Sequence, residues 1–258
     1  MSLALVDWRL PVCGVDAVRF CRTHQVDAVQ LDFGGPGRAP CLDTREKQDA
    51  ILEACAQYNI KITALAANRF NEIGLGSKRD RSDRRAVQHL IISILDVAKN
   101  FNVPLVFFPS FYQGLIRDQE ILRETAQLLR WICQEAQDRD LSIGNENDLP
   151  VASAKQLIAE VNADNFYLIF DSYNLHKAGH STIDFLIQME GYFATQVHIK
   201  EDGKIKLGRG DGEITMILNQ LNKYDWVEWY VLENDYRDND ITRLQTDLFW
   251  LKQQLNLP

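Results

Sequence analysis

The sequence predicts a single (β/α)8 barrel, an α/β fold of eight parallel strands each followed by a helix. Three observations carry that expectation. Apolar, strand-like runs alternate eight times with segments of helical period. No linker, short internal repeat or low-complexity tract interrupts the alternation, so residues 1–258 read as one domain, a size that barrels of this type reach. Four of the later runs also end in a ligand-type side chain, and in such barrels the site lies at the carboxyl ends of the strands.

The first strand spans about Leu3 to Leu10, and Val15 to His24 is a short helix after it. Val26 to Phe33 is the second strand, closed by the turn cluster Gly34-Gly-Pro-Gly37. Asp43 or Thr44 can cap the next helix, which runs through Tyr58 with Ile51, Leu52, Cys55 and Tyr58 at helical spacing. Strand three is Lys61 to Ala67. The polar run Ser77 to Arg85 then leads into a long helix ending near Asn100. Its five cationic residues either form a solvated loop and first helical turn or close over an anionic substrate as a lid. Val103 to Phe108 is strand four, with Pro104 tolerated at its start. Phe107, Phe108, Phe111 and Tyr112 cluster at its end, to floor a pocket or simply to pack.

Asp118 to Asp138 forms the fourth helix, and strand five covers 141 to 147. Ser153-Ala-Lys-Gln156 has the pattern of a capping box opening the fifth helix. Strand six holds Asp171, and its polar exit loop, Asn174 to His180, leads to a helix from about Ile183 to Phe193. Thr195 to Glu201 is strand seven, Gly212 to Leu221 the seventh helix, Val227 to Asp235 strand eight, and Asp240 to Leu255 the last helix.

Composition narrows the function classes. A formal net charge of −8 repels a phosphate backbone, so nucleic acid is not an expected partner. Five cysteines, Cys13, Cys21, Cys41, Cys55 and Cys133, show no CxxC pair and no pairing pattern. With no secretory leader at Met1, they point to reduced thiols and a cytoplasmic location. No run approaches the ~20 apolar residues of a membrane span, so no membrane association is expected.

The chemistry concentrates in strands five to eight. Alternation along strand seven puts Gln196, His198 and Lys200 on one face and Val197 and Ile199 on the other. Parallel strands covered by helices are nearly continuous apolar runs. A carboxylate at the end of several of them therefore marks a shared rim. Glu146, Asp171, His198 and Glu233 form an oxygen-rich set with one imidazole, suited to one divalent ion such as Mn2+, Mg2+, Co2+ or Zn2+. Three clustered carboxylates without a cation would repel one another.

These residues resemble those of the xylose isomerase-like TIM-barrel superfamily, the sugar phosphate isomerase/epimerase group. Its metal is held by Glu, Asp, His and Glu at strands five to eight, which match Glu146, Asp171, His198 and Glu233. The run His198-Ile-Lys-Glu-Asp202 with Leu207-Gly-Arg-Gly210 resembles the family's His-x-Lys-Asp and later Gly-x-Gly turn. The chain departs from the family at Asn174, where a histidine is common. Gln30 stands where many members carry a strand-two Glu, with Asp32 nearby, and Asp148 stands where dehydratases of the group tend to carry a histidine.

The resemblance implies an enzyme acting on a small carbohydrate or polyol-derived substrate, with a homodimer as the common assembly. A divalent ion at the tetrad would act as a Lewis acid on a ketose-like substrate and favour an enediolate. Glu146 and Glu233 would take and return the proton alpha to the carbonyl, giving isomerisation or epimerisation. Lys200, Asn68, Asn174, Lys204 and Arg209 are the candidates for binding substrate oxygens or an anionic group. The alternatives are a metal-dependent dehydratase of the 3-dehydroshikimate or inosose type, or a non-catalytic sugar-binding barrel. A three-zinc DNA-repair endonuclease of the superfamily is set aside, because His24 and His89 fall in helices and too few histidines remain.

Overall fold

A computed structural model describes residues 2–35, 39–77 and 80–257. The strands are β1 (Ser2–Val6), β2 (Ala28–Asp32), β3 (Lys61–Ala66), β4 (Leu105–Pro109), β5 (Ser142–Glu146), β6 (Phe166–Asp171), β7 (Phe193–Ile199) and β8 (Trp229–Leu232). They pair in parallel in sequence order, and β1 closes on β8 to complete the barrel. The main helices are α1 (Val15–Thr23), α2 (Arg45–Tyr58), α3 (Arg81–Phe101), α4 (Gln119–Gln137), α5 (Val151–Val161), α6 (Thr182–Gln188), α7 (Ile214–Leu221) and α8 (Ile241–Gln254). Short helical turns at Phe70–Ile73 and Asn174–Lys177 follow β3 and β6. None of the described helices is long and apolar enough to cross a membrane.

Each amphipathic helix buries one stripe against the outer face of the barrel. On α3 that stripe is Ile91, Ile94, Leu95 and Ala98, and on α4 it is Leu122, Leu129, Ile132 and Cys133. They meet the outward side chains of the strands, among them Val29, Leu31, Val106, Phe108, Ile143 and Val197, in one continuous core. The inward positions form separate clusters built mostly of small residues: Ala4, Ala28, Ala64, Ala66 and Ala194, with Val6, Leu105, Phe107, Ile169 and Val231. That choice leaves interior volume for larger polar side chains higher in the barrel.

Several boundaries differ from the sequence reading for local reasons. β1 stops at Val6 because Asp7 turns into a short 3-10 segment and accepts backbone N–H groups from Gly14 and Asp32. Ser153 does not open α5. Pro150 occupies the N-cap position and Val151 starts the helix, so the capping-box pattern lies inside it. Thr182–Gln188 ends well before Phe193, with Gly191 at φ 89° on the way into β7. Glu213, at φ 53°, delays α7 to Ile214. In the basic run, Lys78 and Arg79 lie outside the described residues, as do Pro36 and Gly37 of the earlier turn. Asp80 caps α3 by accepting from Asp83 N, and residues Arg81 to Arg85 form the exposed first turn.

Gly144 on β5 sits where the barrel interior leaves no room for a side chain. A Cβ there would come within 2.6 Å of Ile169 Cδ1 and 2.9 Å of Phe107 Cβ. Gly144→Val is expected to cost about 1–3 kcal/mol of unfolding free energy by overpacking. Urea denaturation with an unchanged midpoint would contradict this view of the barrel interior.

Candidate metal centre and active site

Two residues beyond the interior positions Gly144, Ile169, Gln196 and Val231, the same alternation delivers Glu146, Asp171, His198 and Glu233 to the mouth of the barrel. One donor atom from each lies within 4.8 Å of every other, and all four residues are buried. Their orientations are fixed from outside the cluster. Asp171 Oδ1 accepts from the backbone N–H groups of Tyr173 and Asn174, at 2.8 and 2.6 Å. Asn174 Nδ2 donates to Glu146 Oε1 at 2.8 Å, and Trp8 Nε1 donates to Glu233 Oε1 at 2.9 Å. The ring of His198 is held edge-to-face by Phe107, with centroids 5.4 Å apart, and its Nε2 lies 2.9 Å from Gln30 Oε1.

The remaining donor atoms face inward. His198 Nδ1 lies 3.2 Å from Glu233 Oε2 and 3.6 Å from Glu146 Oε2, yet makes no hydrogen bond and is buried. Asp171 Oδ2 is likewise buried and lacks a properly directed hydrogen bond, although Lys200 Nζ lies 2.9 Å away. Two orphaned buried donors, one imidazole nitrogen and one carboxylate oxygen, beside two glutamates are a ligand set that fits one divalent cation.

Charge crowding shifts these groups in different directions. Burial pushes the Glu146 carboxyl up, and the neighbouring Glu233 carboxylate adds to that shift. Burial also works against ionised Glu233, but Lys200, His198 and Arg9 together outweigh it and hold the group well below the ordinary carboxylate range. Burial opposes the charged form of His198, but Glu233 and Glu146 overcome it, and the imidazole is pushed up to about 10. Lys200 is shifted upward by the same contest between burial and the carboxylates of Asp171 and Glu233.

Above the tetrad opens a cleft of about 640 Å³, with Trp8, Asn68, Phe111, Asp148, Asn174 and Lys200 on its walls and Arg9, Lys177 and Arg237 around it. The expected substrate-binding residues divide. Asn68, Asn174 and Lys200 line the cleft, and Asn68 Nδ2 is a buried donor with no partner. Asp32 stands apart from the tetrad and accepts from Asn68 N, so it supports Asn68. Lys200 also pairs with Asp171 and Glu233, at 2.9 and 3.0 Å. Lys204 pairs with Asp238 on the surface, and Arg209 is exposed on the loop; neither lines the cleft. The aromatic cluster splits. Phe107 packs on His198, Phe108 packs outward on Phe70, and Phe111 and Tyr112 line the cleft.

The glycine-rich turn has a structural task. Gly208 N–H donates to Glu201 Oε1 at 3.2 Å, and the loop packs so closely on the buried carboxylate that a Cβ on Gly210 would lie 2.1 Å from Glu201 Oε2. The same loop places Asp211 against the Tyr173 hydroxyl at 3.2 Å and His176 Nε2 at 3.5 Å, which ties it to the segment after β6. Trp8, Arg9, Lys177 and Arg237 were missed from sequence. Trp8 and Arg9 hid inside an overlong first strand, whose break at Asp7 has no strong local signature.

The profile of the xylose isomerase-like TIM barrel family matches residues 18–254, and the chain belongs to that family. Within it, the chain is 33% identical over 257 residues to the 2-epi-5-epi-valiolone 7-phosphate 2-epimerase of an Actinoplanes species, covering 97% of this chain and 93% of that protein. The fold matches D-psicose 3-epimerase from Clostridium cellulolyticum H10 with a TM-score of 0.81, 13% identity and 99% of each chain covered. It also matches the IolI protein with a bound zinc atom, with a TM-score of 0.78 and 18% identity over 99% of this chain and 98% of that one. At these identities the two structures show likeness of fold alone.

Gly210→Ala is expected to lower stability by about 1–3 kcal/mol, because the added methyl group invades the Glu201 cradle. Arg209→Ala, one residue away and exposed, should stay within about 0.5 kcal/mol of the parent. Equal denaturation midpoints for the two variants would show that the cradle contributes little.

Proposed function

We propose that the protein is a divalent-metal-dependent epimerase that inverts a carbon next to a carbonyl in a phosphorylated sugar or cyclitol. The convergence of Glu146, Asp171, His198 and Glu233 beneath an open cleft carries this reading. The 33% identical relative, a 2-epi-5-epi-valiolone 7-phosphate 2-epimerase, supports the substrate class. A divalent ion held by the four residues would supply Lewis-acid polarisation of the substrate carbonyl, which acidifies the neighbouring C–H.

The protein's own groups do the rest. Glu146 and Glu233 each keep one oxygen tied to a fixed donor, Asn174 and Trp8 respectively; the other oxygen of each faces His198 Nδ1, and that of Glu233 also accepts from Lys200 Nζ at 3.0 Å. One carboxylate removes the alpha proton from one face, and the electron pair moves onto the carbonyl oxygen as an enediolate. The other carboxylate, in its protonated form, returns a proton to the opposite face, so no atom is gained or lost overall. Glu146 and Glu233 face each other across the site, so either can serve as base on one face and the other as acid on the opposite face. Asn68 and Lys200 offer hydrogen bonds to substrate oxygens. Arg9, Lys177 and Arg237 around the cleft suit a phosphate group.

The test is solvent exchange. With Mn2+, Co2+ or Mg2+ added, a panel of ketose and keto-cyclitol phosphates in D2O should show deuterium entering one alpha carbon by NMR. A chelator should abolish the exchange, and Glu146→Gln or Glu233→Gln should slow it by about 10²–10⁴-fold. Exchange that survives both chelation and these substitutions would contradict the assignment. Formation of an unsaturated product with loss of water would instead establish the dehydratase alternative.

A further inference from the structure

Below the tetrad, inside the barrel, lies a buried polar chain that the proposed chemistry does not use. Gln196 Nε2 donates to the backbone carbonyl of Thr63 at 2.7 Å. Gln30 Nε2 donates to Gln196 Oε1 at 2.8 Å, and Gln30 Oε1 faces His198 Nε2 at 2.9 Å. Gln30, Thr63, Gln196 and His198 are all buried. We infer that Gln30 and Gln196 are positioning residues, a relay that starts on a β3 carbonyl and dictates which ring nitrogen of His198 faces the cation. This inference rests on the metal-centre reading above.

Amide orientations can be exchanged when only their own partners are considered, but this chain has a fixed end. A backbone carbonyl can only accept, so the NH2 group of Gln196 must face Thr63. Its oxygen then faces Gln30, which must in turn present its own NH2 group. That leaves Gln30 Oε1 toward His198, and Nε2 must carry the hydrogen. Reversing any link would set two acceptors face to face in a buried interior, or return the conflict to Thr63. Nδ1 is thereby left as the nitrogen directed at Glu146 and Glu233, and it is the orphaned atom of the ring. It can take a proton or a cation while Nε2–H stays in place.

Strand irregularities supply the fixed end. Between β2 and β3 the register runs from Val29 opposite Ile62 to Gln30 opposite Ala64, so Thr63 is an extra residue with no partner on β2. Such a bulge re-aims backbone groups out of the ladder. Beside Gln196, Leu168 to Phe170 on β6 spans two residue steps while Phe193 to Val197 on β7 spans four. Ala28, Ala64, Ala66 and Ala194 leave the space that two amide side chains need.

Metal ligation by histidine is tuned by the group that holds the other ring nitrogen, typically by 10- to 100-fold in affinity. Gln30→Met should therefore weaken Zn2+ or Mn2+ binding by about 10- to 100-fold in calorimetric or chelator-competition titrations. Gln196→Met, which removes no atom in contact with His198, should weaken it in the same direction and less, because Gln30 can then flip. In ¹⁵N-histidine-labelled wild-type protein with Zn2+, the His198 ring should show a protonated Nε2 in slow exchange and a coordinated Nδ1, assigned against His198→Ala. Both variants should lose that slow exchange. Coordination through Nε2, an unprotonated Nε2 in the wild type, or wild-type affinity in both variants would overturn the relay while leaving the metal centre standing. Failure of the wild type itself to bind a divalent ion would overturn the metal reading and the relay's role with it. The wild-type spectrum serves even if a variant does not fold.

Discussion

The structure turns on a concentration of like charge. Three carboxylates and an imidazole meet at the mouth of the barrel, buried and with donor atoms within 4.8 Å. Burying even one carboxylate is costly unless it is paired and hydrogen-bonded, and three together repel. The surroundings answer that demand from several sides. Lys200 places an ammonium against Asp171 and Glu233, while Asn174, Trp8 and two backbone N–H groups hold the oxygens turned away from the centre. A divalent cation at the centre would lower the repulsion further, held by His198 Nδ1 and by inward carboxylate oxygens, two of which now face the Lys200 ammonium.

The barrel makes such crowding possible without a single long-range contact being designed separately. Parallel strands with period-two alternation deliver every second side chain to the axis, so residues distant in sequence arrive as neighbours once the barrel closes. The small interior residues set how much room is left. Where the pattern departs from regular, at the Thr63 bulge and the extra residues of β7, a backbone carbonyl is freed inside the barrel and a polar chain reaches up to His198. Outside it, the Glu201 cradle and Asp211 lock the loops after β6 and β7 together, which keeps Asp171 and Asn174 in place.

Much of this was legible in the sequence, for physical reasons that can be named. Eight alternations of apolar runs with helical periods define the barrel, and a carboxylate at the end of an otherwise apolar run stands out because burial penalises it. Glu146, Asp171 and Glu233 stand out that way and His198 by the alternation along its strand; Glu146 and Asp171 close β5 and β6, His198 is the penultimate residue of β7, and Glu233 directly follows β8. Long side chains on loops were harder to place. Lys204 and Arg209 follow the His198 strand closely in sequence, but the loop carries them to the surface. Gln30 and Gln196 carry no charge, and only the strand bulge shows why an amide is needed at each. Trp8 was obscured because the side chain of Asp7, bound to distant backbone groups, ends the first strand earlier than its composition suggests.

Family membership and the 33% identical epimerase set the expectation for chemistry, and the cleft supplies groups that suit it: orphaned ligands below, an unpartnered Asn68 amide, and cationic side chains around the mouth. All of it presumes one cation at the meeting point of four strands. Anomalous diffraction from crystals grown with Mn2+ is the most direct check. One peak within bonding distance of Nδ1 of His198 and of oxygens of Glu146, Asp171 and Glu233 is the expected result. An ordered tetrad with no peak, or a peak only elsewhere on the protein, would contradict it.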